Sequence, residues 1–147
     1  MKILEIEAMF QEETTIGKVL EAITEDVNKI EYYSSLMKTG VTDNPEEVKK
    51  AIIELTGIYM SLKPILSVAT TEKENKEVRA YNALRIEIEN AGGKFVSAQA
   101  DKQASGAVGN YRRIRNILEG YVNATEKAIS TLQSILKYLS EEQKMGK

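Results

Sequence analysis

The chain has 147 residues, with 42% apolar and 29% charged residues and a formal net charge of −2 at pH 7. It contains no cysteine and no histidine, which excludes disulfides, thiolate metal centres, cysteine nucleophiles and any mechanism that needs an imidazole. The apolar content is too high for a disordered chain. The sequence therefore predicts a folded protein with no metal site and no cofactor.

Neither a membrane segment nor an export signal is expected from the sequence. No segment reaches the ~18 uninterrupted apolar residues that a membrane helix needs. The first residues, MKILEIEAMFQEE, place acidic side chains inside an apolar run and contain no small-residue cleavage site, unlike a signal peptide. We therefore expect a cytoplasmic protein without membrane contact.

Helical periodicity dominates the chain and predicts an all-α fold. We expect one domain over residues 1–147, an elongated bundle of coiled-coil-like helices. Residues 3–10 suit either a short strand or a helical turn. An N-terminal helix is expected over about residues 15–37, since apolar residues recur there at helical spacing: Ile16, Val19, Leu20, Ile23, Val27, Ile30 and Tyr33.

The next helical segment, residues 45–90, has a clear start and a proline inside it. Asn44 is a suitable cap, Pro45 suits the first helical position, and Glu47 completes a capping box. Pro64 lacks an N–H and crowds the preceding turn. The segment is therefore either one kinked helix or two helices broken near residues 64–75. Its apolar stripe comprises Val48, Ile52, Leu55, Tyr59, Leu62 and Leu66.

A long C-terminal helix is predicted over about residues 106–143, where apolar residues recur with heptad spacing. Three neighbouring rows begin at Tyr111, Ile114 and Val122. Three rows form a wider face than one antiparallel neighbour covers, so we expect a homo-oligomer. The predicted oligomer interface comprises Leu118, Val122, Ile129, Leu132, Ile135, Leu136 and Leu139.

Positive charge is concentrated between residues 79 and 115. This segment holds all five arginines and has a balance of +4, so the rest of the chain carries −6. Arginine suits phosphate groups, and Tyr81, Phe95 and Tyr111 lie among these cations as stacking platforms, as in proteins that bind single-stranded nucleic acid. The candidate nucleic-acid-binding residues are Arg79, Arg85, Lys94, Lys102, Arg112, Arg113 and Arg115.

A second interpretation of the same segment assigns these residues to packing. The arginines would then pair with glutamates of neighbouring helices, and the aromatic side chains would belong to the core. Both interpretations apply to the cluster YRRIRN, Tyr111 to Asn116. Its arginines lie near the start of the long helix, where the helix dipole favours anions.

The sequence offers no catalytic arrangement. Adjacent glutamates occur at 12–13, 46–47 and 141–142, but nothing encloses them so as to tune their pKa values. The Glu-x-x-His motif of helical metal sites is excluded without histidine. Gly106 and Gly109 lack the strand and the Gly-Lys-Ser/Thr pattern of a phosphate-binding loop. We therefore predict that the protein is not an enzyme.

The segment from Lys94 to Lys147 resembles small all-helical proteins of bacteriophage replication and recombination, with the layout of the UvsY-type recombination mediators. The shared features are Ser97, Ala98 and Asp101, the long amphipathic helix after them, and the Gly146-Lys147 ending. They cover about a third of the chain. The resemblance implies an oligomeric accessory protein that binds single-stranded DNA and assists a recombinase. The candidate binding residues themselves come from charge and position.

The alternative function is a protein-interaction module without a nucleic-acid role. A phage-encoded inhibitor of a host or defence protein and an assembly factor both belong to this class. Part of the apolar stripe would then be exposed and available to a partner.

Overall fold

The computed structural model describes residues 3–40 and 43–146, and 86% of these residues are helical. The described part contains no strand. Its helices are α1 (Ile3–Met9), α2 (Lys18–Ala22), α3 (Thr24–Thr39), α4 (Pro45–Asn90), α5 (Ser97–Ala107) and α6 (Gly109–Met145). The predicted all-α fold is confirmed. Lys147, part of the resemblance to the phage proteins, lies outside the described residues.

The N-terminal helices are shorter than predicted. Residues 3–9 form α1, so the helical alternative applies there and the strand does not. The helix expected over residues 15–37 is divided into α2 and α3, because Ile23 leaves the helical region with φ −100° and ψ 8°. Its apolar stripe is nevertheless buried or half-buried throughout. Gly40 ends α3 with a φ of 101°, a conformation that glycine adopts without a Cβ clash.

α4 is one continuous helix of 46 residues that contains Pro64. At its start, the Asn44 side chain accepts a hydrogen bond from the Glu46 N–H at 3.0 Å, as expected of a cap. Pro64 is exposed, so water can solvate the Met60 carbonyl that the proline leaves without a helical donor. Three residues of the predicted stripe, Val48, Leu55 and Leu62, are buried, whereas Ile52, Tyr59 and Leu66 are half-buried. The buried stripe is completed by Ala51, Ile58, Ile65 and Ala69.

The C-terminal helix begins three residues later than predicted. Residues 97–107 form α5, Val108 interrupts the helix, and α6 runs from Gly109 to Met145. The first heptad row is buried along its whole length and comprises Tyr111, Leu118, Thr125, Leu132 and Leu139. Thr125, its one polar member apart from Tyr111, donates its hydroxyl to the Tyr121 carbonyl at 2.7 Å, so the core holds no unsatisfied hydroxyl at that position.

The chain divides into two compact units where the sequence predicted one domain. Unit 1 comprises Met1–Leu20 and Ile65–Ile117, and unit 2 comprises Glu21–Pro64 and Leu118–Lys147. The long helices α4 and α6 each supply residues to both units, which periodicity within a helix does not reveal. The core of unit 1 is built around Ile6, Phe10 and Ile114, and that of unit 2 around Leu55, Leu62 and Val122.

Four residues of the predicted oligomer interface belong to the core of the single chain. Leu118, Val122, Leu132 and Leu139 are all buried within it, so they have no free surface for a second copy. This corrects their assignment. Wide apolar faces fill the protein's own core when short helices pack beside the long one. Of the same set, Ile129, Ile135 and Leu136 are half-buried, and self-association stays a prediction.

Among the described residues, one helix has the length and composition of a membrane span. α4 contains an 18-residue window with at most two charged residues, of which 33% is buried. The core helix of a protein in water passes the same test, so this property alone does not place α4 in a bilayer. The expected absence of membrane contact, like the cytoplasmic location, stays a prediction.

Candidate nucleic-acid interface

All seven candidate nucleic-acid-binding cations lie in unit 1. Arg79 and Arg85 are on α4, Lys94 follows it, Lys102 is on α5, and the remaining three are on α6. Five of the seven side chains are exposed, whereas Arg112 and Arg115 are half-buried. Shared location in one unit does not make them one site, because they point to different neighbours.

The two half-buried arginines connect helices within unit 1. Arg112 donates from Nη2 to the Ser105 carbonyl at 2.6 Å and to the Ser105 hydroxyl. Arg115 donates from Nε to Thr70 Oγ1 at 3.4 Å and from Nη1 to Asn116 Oδ1 at 3.1 Å. The packing interpretation thus describes both side chains, whose partners include carbonyl, hydroxyl and amide oxygens of unit 1. We remove them from the candidate interface.

Arg85 lies over the half-buried ring of Phe95, which in turn contacts the half-buried ring of Tyr81. Its Cζ is 5.7 Å from the centroid of the Phe95 ring, and that ring meets Tyr81 edge to face at 5.6 Å with an interplanar angle of 90°. Lys94 precedes Phe95 and is exposed. We call Tyr81, Arg85, Lys94 and Phe95 the aromatic–basic patch. It combines two exposed cations, one of which directly precedes Phe95 in sequence, with two partly exposed aromatic rings.

A glycine turn brings Phe95 back onto α4. Gly92 has a φ of +77°, its N–H donates to the Glu89 carbonyl at 3.1 Å, and the Gly93 N–H donates to the Ile88 carbonyl at 3.0 Å. This pair of hydrogen bonds is the Schellman motif, which satisfies the last carbonyls of a helix. The reversal lets residues 94–96 run back along the last turns of α4.

Two further interactions tie the patch together. The Tyr81 hydroxyl and Ser97 Oγ are 3.1 Å apart, within hydrogen-bond distance, so the start of α5 is linked to α4. Arg85 Nε lies 3.1 Å from Glu89 Oε1 on the same helix. This ion pair is exposed and therefore weak, so the guanidinium can exchange the carboxylate for a phosphate.

Tyr111, the third predicted stacking platform, is buried and does not serve that purpose. Lys76 Nζ lies 5.9 Å from its ring centroid and donates to the Gln11 carbonyl at 2.8 Å. Burial raises the pKa of the Tyr111 hydroxyl, and the nearby Glu13 carboxylate raises it further. Tyr111 therefore belongs to the core of unit 1, as the packing interpretation holds.

The other exposed cations lie apart from the patch. Arg79 precedes Arg85 by six residues, which places it about 120° away around α4. Arg113 lines an open depression together with Gly109, Arg112, Asn116 and Ile117. Lys102 is exposed on α5. Among the described residues, Arg79, Lys102 and Arg113 form no ion pair, so they remain available as peripheral charges.

No other chemistry stands out in the described part of the chain. Within residues 3–40 and 43–146, no group of three or more Asp or Glu side chains is arranged to hold a metal ion. The sequence alone identified all four residues of the patch: the aromatic residues Tyr81 and Phe95 and the cations Arg85 and Lys94. It did not foresee that Ser97 bonds to Tyr81 or that Gly92 turns the chain, because both depend on three-dimensional packing. No protein-family model, curated protein or solved structure matches the chain.

Proposed function

We propose that this protein binds single-stranded nucleic acid through the aromatic–basic patch and acts as a non-enzymatic accessory protein in phage-type recombination or replication. One observation carries the proposal. A guanidinium group lies over a half-buried phenyl ring, which meets a half-buried tyrosine ring edge to face. Unpaired bases stack on such rings, while cations beside them contact the phosphates.

The charge distribution supports the same proposal. The chain is acidic overall, whereas the five exposed cations of residues 79–115 outnumber the three acids of that segment, so the nucleic-acid backbone meets a locally positive surface. Duplex DNA offers no exposed base faces to the two rings. The patch therefore favours the single strand over the duplex. Its cation–phosphate contacts make binding weaken steeply as the salt concentration rises, because the release of condensed counterions is then less favourable.

The direct test is fluorescence anisotropy of a labelled single-stranded oligonucleotide at low and moderate salt, with the duplex as control. Arg85→Ala and Phe95→Leu are the test variants, and Phe95→Leu keeps an apolar side chain against α4 while it removes the ring. Loss of one base-stacking contact weakens binding by about fivefold to a hundredfold. Lys137→Ala, which removes an exposed cation on α6 in unit 2, is the matched control and leaves the affinity unchanged.

Two results contradict the proposal. One is the absence of binding even at low salt. The other is equal affinity in the wild type, Arg85→Ala and Phe95→Leu, with helicity by circular dichroism intact. If binding is found, the accessory role is tested by adding the protein to a recombinase on single-stranded DNA that is coated with a single-strand-binding protein. Faster assembly of the recombinase filament supports that role, and Phe95→Leu removes the acceleration.

A second candidate function is a protein-interaction module, and a specific surface of unit 2 favours it. Ile53 and Met60 are 72% and 69% exposed, and they lie two turns apart on one face of α4. Gly57 between them has open space at its Cα. A protein that fails to bind oligonucleotides but captures one stoichiometric partner through Ile53 and Met60 would belong to this class.

A further inference from the structure

Unit 2 contains a cleft between α3 and α6 with Leu55 of α4 among its lining residues. Its volume is about 410 Å³, which lies within the range of small-molecule sites, roughly 300–1,000 Å³. Four buried residues form its floor: Ile30, Tyr33, Leu55 and Thr125. These four residues also belong to the core of unit 2, so the floor of the cleft is formed by core side chains.

The floor offers an apolar surface because its polar atoms are already bonded. The Tyr33 hydroxyl donates to the Glu54 carboxylate, and the Thr125 hydroxyl donates to the Tyr121 carbonyl at 2.7 Å. Neither hydroxyl needs a ligand partner. A molecule that enters the cleft meets carbon atoms at the floor, so burial of apolar surface is the main source of affinity there.

Small side chains on α6 leave the space open. Ala124, Ala128 and Thr131 recur at helical spacing along the α6 wall, and Met37 lies on the α3 wall. A leucine at the alanine positions would occupy part of this volume. Since Met37 is flexible, that wall can adjust to an aliphatic chain.

The rim of the cleft is positively charged. Lys38 on α3 and Lys127 on α6 are exposed lining residues, and the residues that line the cleft include no acid. Within the described part of the chain, neither lysine lies within ion-pair distance of a carboxylate. An apolar floor beneath two unpaired ammonium groups is complementary to a molecule with an aliphatic tail and an anionic head.

We propose that this cleft binds an anionic amphiphile, an aliphatic chain with a terminal carboxylate. The chain occupies the floor formed by Ile30 and Leu55, and the carboxylate pairs with Lys38 and Lys127 at the rim. The site lies in unit 2, and it shares no residue with the aromatic–basic patch. The proposal is therefore independent of the proposed nucleic-acid function.

The test is calorimetric titration of the full chain with octanoate, nonanoate and decanoate below their micellar concentrations. Each added methylene is expected to raise the affinity about threefold to fourfold until the cleft is filled. Methyl NMR resonances of Ile30, Leu55 and Met37 shift on binding and identify the site. Decanol is the uncharged probe, and decyltrimethylammonium is the probe of opposite charge.

Variants separate the head from the tail. Lys38→Gln and Lys127→Gln each weaken decanoate binding about twofold to fivefold and leave decanol binding unchanged, and the control Lys137→Gln affects neither ligand. Ala128→Phe fills the cleft and removes binding of both. The proposal is overturned if none of the three carboxylates binds, if decanoate and decyltrimethylammonium bind equally, or if Ala128→Phe still binds decanoate while it remains folded.

Discussion

The Arg112 guanidinium donates a hydrogen bond to the Ser105 carbonyl at 2.6 Å, which links the first turn of α6 to the last turn of α5 across the break at Val108. Sequence composition suggested that the same arginine contacts phosphate. A half-buried guanidinium with a carbonyl and a hydroxyl as acceptors is already occupied. The arginine-rich start of α6 therefore stabilises unit 1 more than it offers a ligand site.

Arg112→Ala is expected to destabilise the protein by about 1.5–3 kcal/mol, because the carbonyl and the hydroxyl of Ser105 both lose their charged hydrogen-bond donor. Arg113→Ala, one residue along and exposed, is the control and should change stability by no more than about 0.5 kcal/mol. Urea denaturation followed by circular dichroism measures both. Equal urea midpoints for the two variants would contradict the conclusion that Arg112 stabilises unit 1 by linking α5 to α6.

Gly92→Ala is expected to destabilise the protein by about 1–2 kcal/mol, since its φ of +77° is strained for any residue with a Cβ. It should also weaken oligonucleotide binding, because the turn at Gly92 brings Phe95 onto α4. Gly57→Ala is the matched control. Gly57 lies inside α4 with open space at its Cα, so alanine there should stabilise the helix by about 0.5–1 kcal/mol. A change in stability of the same sign for Gly92→Ala and Gly57→Ala would contradict this prediction.

The sequence predicted the helices better than it predicted their partners. Periods of 3.6 residues depend on local geometry, so the stripes of α3, α4 and α6 could be read directly from apolar spacing. Whether the Leu132 face covers another part of the chain or a second copy depends on the arrangement of all the helices. The same holds for Arg85 and Arg112, which have the same residue type but different neighbours.

Leu132→Glu tests whether this face belongs to the core. Leu132 is 2% exposed, so an unpaired carboxylate there is expected to cost more than about 4 kcal/mol and to unfold the chain. If the residue were instead at an oligomer interface, the same variant would stay folded and lose only its assembly state. Circular dichroism and sedimentation velocity separate the two outcomes. Leu136→Glu, at a half-buried position, is the matched variant and should remain folded.

The hydrogen bond from the Tyr33 hydroxyl to Glu54 predicts a loss of stability at high pH. Burial is the largest cause that raises the Tyr33 pKa well above its ordinary value of 10, and the hydrogen bond to Glu54 is the next. Above pH 10 the unfolded chain releases this proton and the folded chain retains it. The contribution of Tyr33 to stability is therefore complete below pH 10 and falls by up to about 1.4 kcal/mol for each pH unit above it.

Tyr33→Phe should accordingly be less stable than the wild type at neutral pH, by about 1.5–3 kcal/mol for a hydrogen bond to a charged group. The difference should shrink as the pH rises above 10, because only the wild type loses the Tyr33 contribution. Urea denaturation at neutral and alkaline pH measures it, and Tyr32→Phe, which removes an exposed hydroxyl on the same helix, is the control. Since the pKa of Tyr111 is also raised, the stability of both the wild type and Tyr33→Phe still declines somewhat at high pH. A stability difference that stays constant through pH 10 would show that the Tyr33 hydroxyl ionises alike in the folded and unfolded chains.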